Sequence, residues 1–163
     1  VLEEDLMASF RANVVGVANT VNLFLHLIRA GNEKKIITIS SGMADIDLVN
    51  RFSVPIAAPY SISKAATNAL VAKYNAALGK SEGILFLSLS PGLVDTSEGK
   101  PMSEQAIQGA QAMGALFQEY APHFTGPITP EQSVEMCLKV IEDATVETHG
   151  GDFVSHFGNK QWL

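Results

Sequence analysis

Apolar residues recur at spacings of three and four through residues 3–30, at Leu6, Phe10, Val14, Val17, Val21, Phe24 and Ile28. That period predicts one long amphipathic helix. Glu3, Glu4 and Asp5 fall in its first turn, where the helix dipole favours acids, and Gly31-Asn32 supplies a stop. Asn13 and Gly16 interrupt its interior. The pattern changes at residues 35–40, Lys-Ile-Ile-Thr-Ile-Ser. A short β-branched run without alternation predicts a strand buried on both faces, as in a parallel sheet. Ser40-Ser41-Gly42 ends it. Residues 43–58 carry no clear period and read as an irregular loop, punctuated by Pro55 and followed by Pro59.

A second long helix is expected from about Pro59 to Gly79, since proline suits a first helical turn. One side of it is small: Ala65, Ala66, Ala69, Ala76 and Ala77. A second buried strand, Ile84 to Ser90, ends at Pro91-Gly92. Residues 93–128 form a long excursion with a helix expected from about Ser103 to Tyr120, and inserts of that length are often lids. Thr129-Pro130-Glu131-Gln132 is a helix start: a capping threonine, proline at the first position and glutamine three residues after the cap. That helix should run to about Ala144. A last strand, Asp152 to Phe157, follows Gly150-Gly151. The order helix, strand, helix, strand, lid, helix, strand predicts a single α/β domain over 1–163, built as half of a doubly wound parallel sheet.

Composition narrows the partners. The 163 residues are 47% hydrophobic and 17% charged, with net charge -6. An acidic balance argues against a nucleic-acid or anionic-membrane surface. No apolar run approaches ~20 residues, so no membrane-spanning helix is expected. The single Cys137 suits a reducing compartment such as the cytoplasm. His26, His123, His149 and His156 lie at no familiar metal-ligand spacing. Val1 opens directly into helical pattern, which reads as a chain cut within a fold.

The chemistry concentrates at Tyr60-Ser61-Ile62-Ser63-Lys64. Tyrosine and lysine four apart share one helical face, about one turn from each other. A nearby positive charge favours the phenolate, so such a pair can exchange a proton with an alcohol or carbonyl oxygen. Taken singly the pattern is weak. In open parallel sheets, however, ligands bind beyond the carboxyl ends of the strands. Ser40-Ser41-Gly42, Ser90-Pro91-Gly92 and the start of the Tyr60 helix all fall on that rim. Ser41, Tyr60 and Lys64 can therefore converge, with two hydroxyls and a cation around one oxygen.

These residues resemble the C-terminal part of a short-chain dehydrogenase/reductase. The matching pieces are Asn13-Val14-Val15-Gly16, Ile37-Thr38-Ile39-Ser40-Ser41, Tyr60 to Lys64, and Pro91-Gly92-Leu93-Val94-Asp95-Thr96, in the family's order. The ending from Gly150 to Trp162 is similar to the C-factor and sniffer-like carbonyl reductase branch. The resemblance implies a Rossmann-type fold and hydride exchange between NADP or NAD and a small carbonyl or alcohol. Tyr60 would be the general acid/base, Ser41 (or Ser40) would polarise the substrate oxygen, and Lys64 would favour the Tyr60 phenolate and hold the nicotinamide ribose. Asn13 would tie a water-linked proton path to Lys64. Pro91, Gly92, Val94 and Thr96 would line the nicotinamide side, and residues 97–128 would form the substrate lid. Helices 3–30 and 60–79 resemble the pair that forms dimer or tetramer contacts.

Two departures accompany the resemblance. The loop between Ser41 and Tyr60 is longer than is common in the family. The glycine-rich dinucleotide fingerprint occurs nowhere in the chain, and the residue that selects NAD or NADP is missing with it. The strands that would cover the inner edge of residues 35–40 are missing too, and such an edge invites pairing. Besides the oxidoreductase, the sequence therefore supports an inactive fragment or dimerising interaction module. An epimerase or lyase using the same Tyr/Lys pair ranks below both.

Overall fold

A computed structural model describes residues 2–97, 107, 111, 114 and 116–163. The N-terminal helical stretch has three parts: α1 (Leu2–Phe10), a wider π turn (Arg11–Val15) and α2 (Gly16–Ala30). In the π turn the Gly16 N–H bonds back five residues to the Arg11 carbonyl. Asn13 lies inside this turn. It sits where the backbone opens, a feature frequent at functional sites.

Three parallel strands follow in the order β1 (Lys35–Ile39), β2 (Leu85–Ser90) and β3 (Phe153–Ser155). Between β1 and β2 lie α3 (Ile46–Arg51), α4 (Ala58–Tyr74), a second π turn (Asn75–Gly79) and α5 (Lys80–Glu82). Between β2 and β3 the described helices are the turn at 116–120, α6 (Pro130–Asp143) and α7 (Val146–His149). Most of the helix expected over 103–120 lies outside the described residues, as does part of the 97–128 lid. Among the described residues, no helix is long and apolar enough to cross a membrane.

β2 is the centre of the core. All six of its residues are buried. Leu85, Leu87 and Leu89 face α6 through Cys137, Val140 and Ala144, while Ile84 and Phe86 face Val21 of α2 and Val71 of α4. A run without alternation is what a strand covered on both faces needs. β1 differs from the same expectation. Thr38 is buried, but Ile36 and Ile37 are only partly so and Ile39 is 52% exposed. The strand order explains this: β1 is the sheet edge, with no strand beyond it among the described residues. A groove of about 470 Å³ runs along that edge, lined by Ala12, Gly16, Val17 and residues of β1.

Residues 43–58 are more ordered than their lack of period suggests. Ser41 caps a single 3-10 turn (Gly42–Ala44), and the Asp45 carboxylate accepts from the Asp47 and Leu48 N–H groups to start α3. Leu48, Phe52 and Val54 then bury against Trp162. One turn of helix is too short to show a period. Its cap and its distant packing partner define it instead. The capping box expected at Thr129 is present, with Thr129 and Gln132 bonding each other's backbone N–H. Lys35 of β1 reaches across to donate to the Ile141 and Glu142 carbonyls at the end of α6.

Candidate active site

The rim at the carboxyl ends of β1 and β2 gathers the residues singled out in the sequence. Ser40 and Ser41 follow β1, and because strand neighbours point to opposite faces they part company. Ser40 is 2% exposed and donates to the Asn68 Oδ1 of α4 at 2.7 Å. Ser41 lines a small pocket of about 60 Å³ together with Ser90, Gly92, Phe117 and Trp162. Its Oγ accepts from the Met43 N–H at 3.2 Å.

Ala57, left-handed at φ 55, turns the chain into α4, with Pro59 in the first turn. Tyr60 follows and stays 39% exposed. It forms part of the wall of a cavity of about 600 Å³, lined also by Met43, Ile56, Leu93, Phe117 and Phe124. Met43, Leu93 and Phe117 are shared with the Ser41 pocket, so the two spaces adjoin. No charged side chain lines the larger one among the described residues. Lys64 lies one turn behind Tyr60, its Nζ 5.7 Å from the centre of the phenol ring. The ammonium donates to the Ile39 carbonyl at 2.8 Å, and burial lowers its pKa below the usual lysine value.

Asn13 is bonded directly to α4. Its Nδ2 donates to the Ser63 Oγ at 2.9 Å, and its carbonyl accepts from the Thr67 Oγ1 at 2.8 Å. Ser63 and Thr67 are 1% and 0% exposed, and Ser63 donates in turn to the Tyr60 carbonyl. These bonds fasten the π turn to the second and third turns of α4. They run to the neighbours of Lys64 rather than to Lys64 itself.

The stretch after β2 is held from three sides. Ser133 of α6 donates to the Pro91 carbonyl at 2.7 Å, and Ile128 donates to the Leu93 carbonyl and accepts from Asp95. Val94 pairs with Ile128 as an isolated parallel bridge. Gly92 is left-handed at φ 83, and a Cβ placed on it would lie 2.7 Å from the His156 Cε1. His156 is 4% exposed, and its Nδ1 has no hydrogen-bond partner.

Burial lowers the His156 pKa below its usual 6.5. The folded state therefore holds this imidazole neutral, while the unfolded chain takes up the proton first as pH falls. The resulting stability is fully present above about pH 6.5 and is lost as pH falls through the window below it. Urea midpoints measured from pH 7.5 to 5 should decline, and His156→Asn should flatten part of that decline. An unchanged slope in the variant would show that His156 is not responsible.

Sequence reasoning missed two contributors, Trp162 and His156. Both lie in the ending from Gly150 to Trp162, to which the resemblance assigns no site residue. Each is brought to the rim by the strand β3 and the turn after it, more than 60 residues from the serine and glycine it touches. The signals were that ending and a lone tryptophan in 163 residues.

The fold and rim can now be set beside known proteins. AacuF of Aspergillus aculeatus, a short-chain dehydrogenase/reductase, is 60% identical over 163 residues, covering 100% of this chain and 61% of the relative. The short chain dehydrogenase virK of Hypocrea virens is 46% identical, over 99% of this chain and 60% of its own length. The chain thus spans about three fifths of the curated relatives it matches. NADPH-bound carbonyl reductase from chicken fatty liver has the same fold, with TM-score 0.71 at 21% identity over 96% of this chain and 56% of that one. Carbonyl reductase Sniffer of D. melanogaster gives 0.67 at 20% identity, over 96% and 56%. The pattern of the short chain dehydrogenases matches residues 1–107, which include the π turn, β1, the serine turn and α4. This chain belongs to the short-chain dehydrogenase family.

Proposed function

We propose that the chain carries the catalytic half of an NAD(P)-dependent oxidoreductase that interconverts a carbonyl and a secondary alcohol. The observation that carries this reading is Tyr60 on the wall of a large apolar cavity with Lys64 one turn behind it. The donors on this rim suit the nicotinamide-ribose end of a dinucleotide: the Lys64 ammonium spends one N–H on Ile39 and has two left. The Pro91–Thr96 segment, fixed by Ser133 and Ile128, suits the nicotinamide face. The phosphate end finds no glycine-rich turn in this chain, so the choice between NADP and NAD rests with residues outside it.

When bound, the nicotinamide supplies or accepts the hydride. The chain's own part is to manage the oxygen. In reduction, Tyr60 donates its hydroxyl proton to the carbonyl oxygen as charge develops there. Ser41, whose oxygen already accepts from Met43, directs its own O–H at the same atom. Lys64 places a positive charge behind the phenolate that remains. Asn13, through Ser63 and Thr67, holds the start of α4 so that Tyr60 keeps its place. The cavity, lined by no charged side chain among the described residues, favours an apolar carbonyl substrate over a carboxylate or phosphate, since an unpaired charge there would be desolvated without compensation.

Ser41→Ala and Ser40→Ala divide the two serines. In a protein that contains this chain and a dinucleotide-binding half, Ser41→Ala should lower carbonyl-dependent oxidation of the reduced nicotinamide by roughly 10²-fold, the loss typical of one donor to a developing oxyanion. Ser40→Ala should mainly lower stability, because it strips the Asn68 amide of a buried partner. The reverse result would move the role to Ser40. Loss of reduced cofactor during turnover separates this reaction from an epimerase or lyase, which returns its cofactor unchanged.

A second reading has its own observation. The open edge of β1, with Ile39 exposed beside an apolar groove, gives these 163 residues an incomplete sheet. Taken alone the chain would then be an inactive interaction module. Exposed Leu2, Met7, Phe10 and Val15 on the first helical stretch, with Ile62 on α4, favour pairing through the two long helices. Nicotinamide binding measured on the 163-residue chain and on one carrying a fused dinucleotide-binding half decides between the readings. The cytoplasm, where Cys137 stays reduced, is the setting proposed for either.

A further inference from the structure

We propose that Trp162 is a positioning residue that clamps the Ser41 turn in its working geometry. The inference rests on Ser41 acting at the substrate oxygen, and goes beyond it by naming what holds that serine in place.

The indole lies against the serine turn. A Cβ on Gly42 would meet the Trp162 Cβ at 2.7 Å and Cγ at 3.0 Å, so only glycine fits beneath it. Trp162 Nε1 donates to the Asp45 Oδ2 at 2.7 Å, while the other oxygen of the same carboxylate accepts from the Asp47 and Leu48 N–H groups. One carboxylate thus joins the α3 start to the indole, with the turn between them closed by Ala44 N–H to the Ser41 carbonyl and Asp45 N–H to the Gly42 carbonyl. The far side of the ring stacks on Phe153 of β3 at 4.3 Å and 20°. The backbone is tied as well: Trp162 N–H donates to the Tyr120 hydroxyl, which donates to the Lys160 carbonyl. At 3% exposure, Trp162 is a buried hub between sheet, serine turn and the 116–120 helix.

The consequence for Ser41 follows from its single backbone partner. The Met43 N–H occupies an acceptor site on the Ser41 oxygen and leaves the hydroxyl proton free to be aimed. That bond exists only while residues 41–45 stay folded into their turn. On one side the turn is fixed by the Gly42 N–H to the Ser90 Oγ of β2. On the other side the Asp45–Trp162 bond fixes it. Releasing that bond frees the turn without touching β2.

Amide hydrogen exchange on the 163-residue chain tests the clamp. Trp162→Phe keeps an aromatic ring for Phe153 and removes the N–H. Asp45→Asn keeps an oxygen for the α3 cap and removes the acceptor. Both should speed exchange at the Ala44 and Asp45 amides by roughly tenfold, the equivalent of losing one hydrogen bond to a charged group. The β2 amides should be unchanged, and the double variant should be no worse than either single one. In the longer enzyme each variant should lower kcat while KM stays within about twofold, as for loss of an interaction made only in the transition state. Unchanged exchange at Ala44 and Asp45 in both variants overturns the clamp. So does uniform loss of protection across the chain in both, which would make Trp162 a general core residue. If exchange rises as stated but Ser41→Ala leaves turnover intact, the clamp stands and the role given to Ser41 falls.

Discussion

Tyr60→Phe should lower carbonyl reduction by about 10²- to 10⁴-fold, the range that a placed general acid contributes. The substitution removes one oxygen from a ring that is 39% exposed and belongs to the cavity wall, so the fold should be unaffected. The expected loss is therefore in kcat, with KM for an apolar ketone nearly constant. The same variant should still bind the ketone, because Met43, Leu93, Phe117 and Phe124 supply the apolar contact. Steady-state rates of nicotinamide oxidation, with ketone binding measured separately, distinguish loss of chemistry from loss of the site. Turnover within a few-fold of the parent would sink the role assigned to Tyr60, and with it the reason for Lys64 standing one turn behind.

The second large effect is on stability. Gly92→Ala should destabilise the fold by about 2–5 kcal/mol, from two causes that add. Its φ of 83 is left-handed, which costs a residue with a Cβ about 1–2 kcal/mol. The new methyl would also lie 2.7 Å from the His156 ring, and a buried aromatic ring cannot give way cheaply. Nor can the turn move, since Ser133 holds the carbonyl before Gly92 and Ile128 holds the one after it. Against a total stability of roughly 5–15 kcal/mol this is a large fraction. A urea or thermal midpoint reads it directly. In a His156→Ala background the extra cost of Gly92→Ala should fall to the conformational part, about 1–2 kcal/mol. An equal cost in both backgrounds would show that the contact with His156 is not the source.

The two residues became visible in different ways. Tyr60 and Lys64 were legible because a helix places positions four apart on one face whatever surrounds it. Gly92 was legible as a turn after a buried strand. Its real constraint, the imidazole under it, was not, because His156 arrives from the strand β3 on the far side of β2. The choice between Ser40 and Ser41 could not be read from adjacent serines. Their different surroundings follow from which side of β1 carries α4: Ser40 turns to Asn68, and Ser41 lines the small pocket. Asn13 was legible as a residue of interest, but its partners were not. A π turn is a matter of one hydrogen bond shifting by one residue, and local propensity does not encode it.

By itself, then, the sequence determined the α/β order, the boundaries of most elements and which side-chain types fall on the rim. Those depend on periodicity, caps and short-range spacing, all of which are local. The resemblance added that the inner edge of β1 is left uncovered, and among the described residues no strand lies beyond it. Only the tertiary structure decided which serine lines the small pocket beside the cavity, what Asn13 holds, and how Trp162 and His156 reach a rim they do not neighbour in the chain. Those depend on where strands sit side by side, and that is fixed by burying β2 on both faces at once.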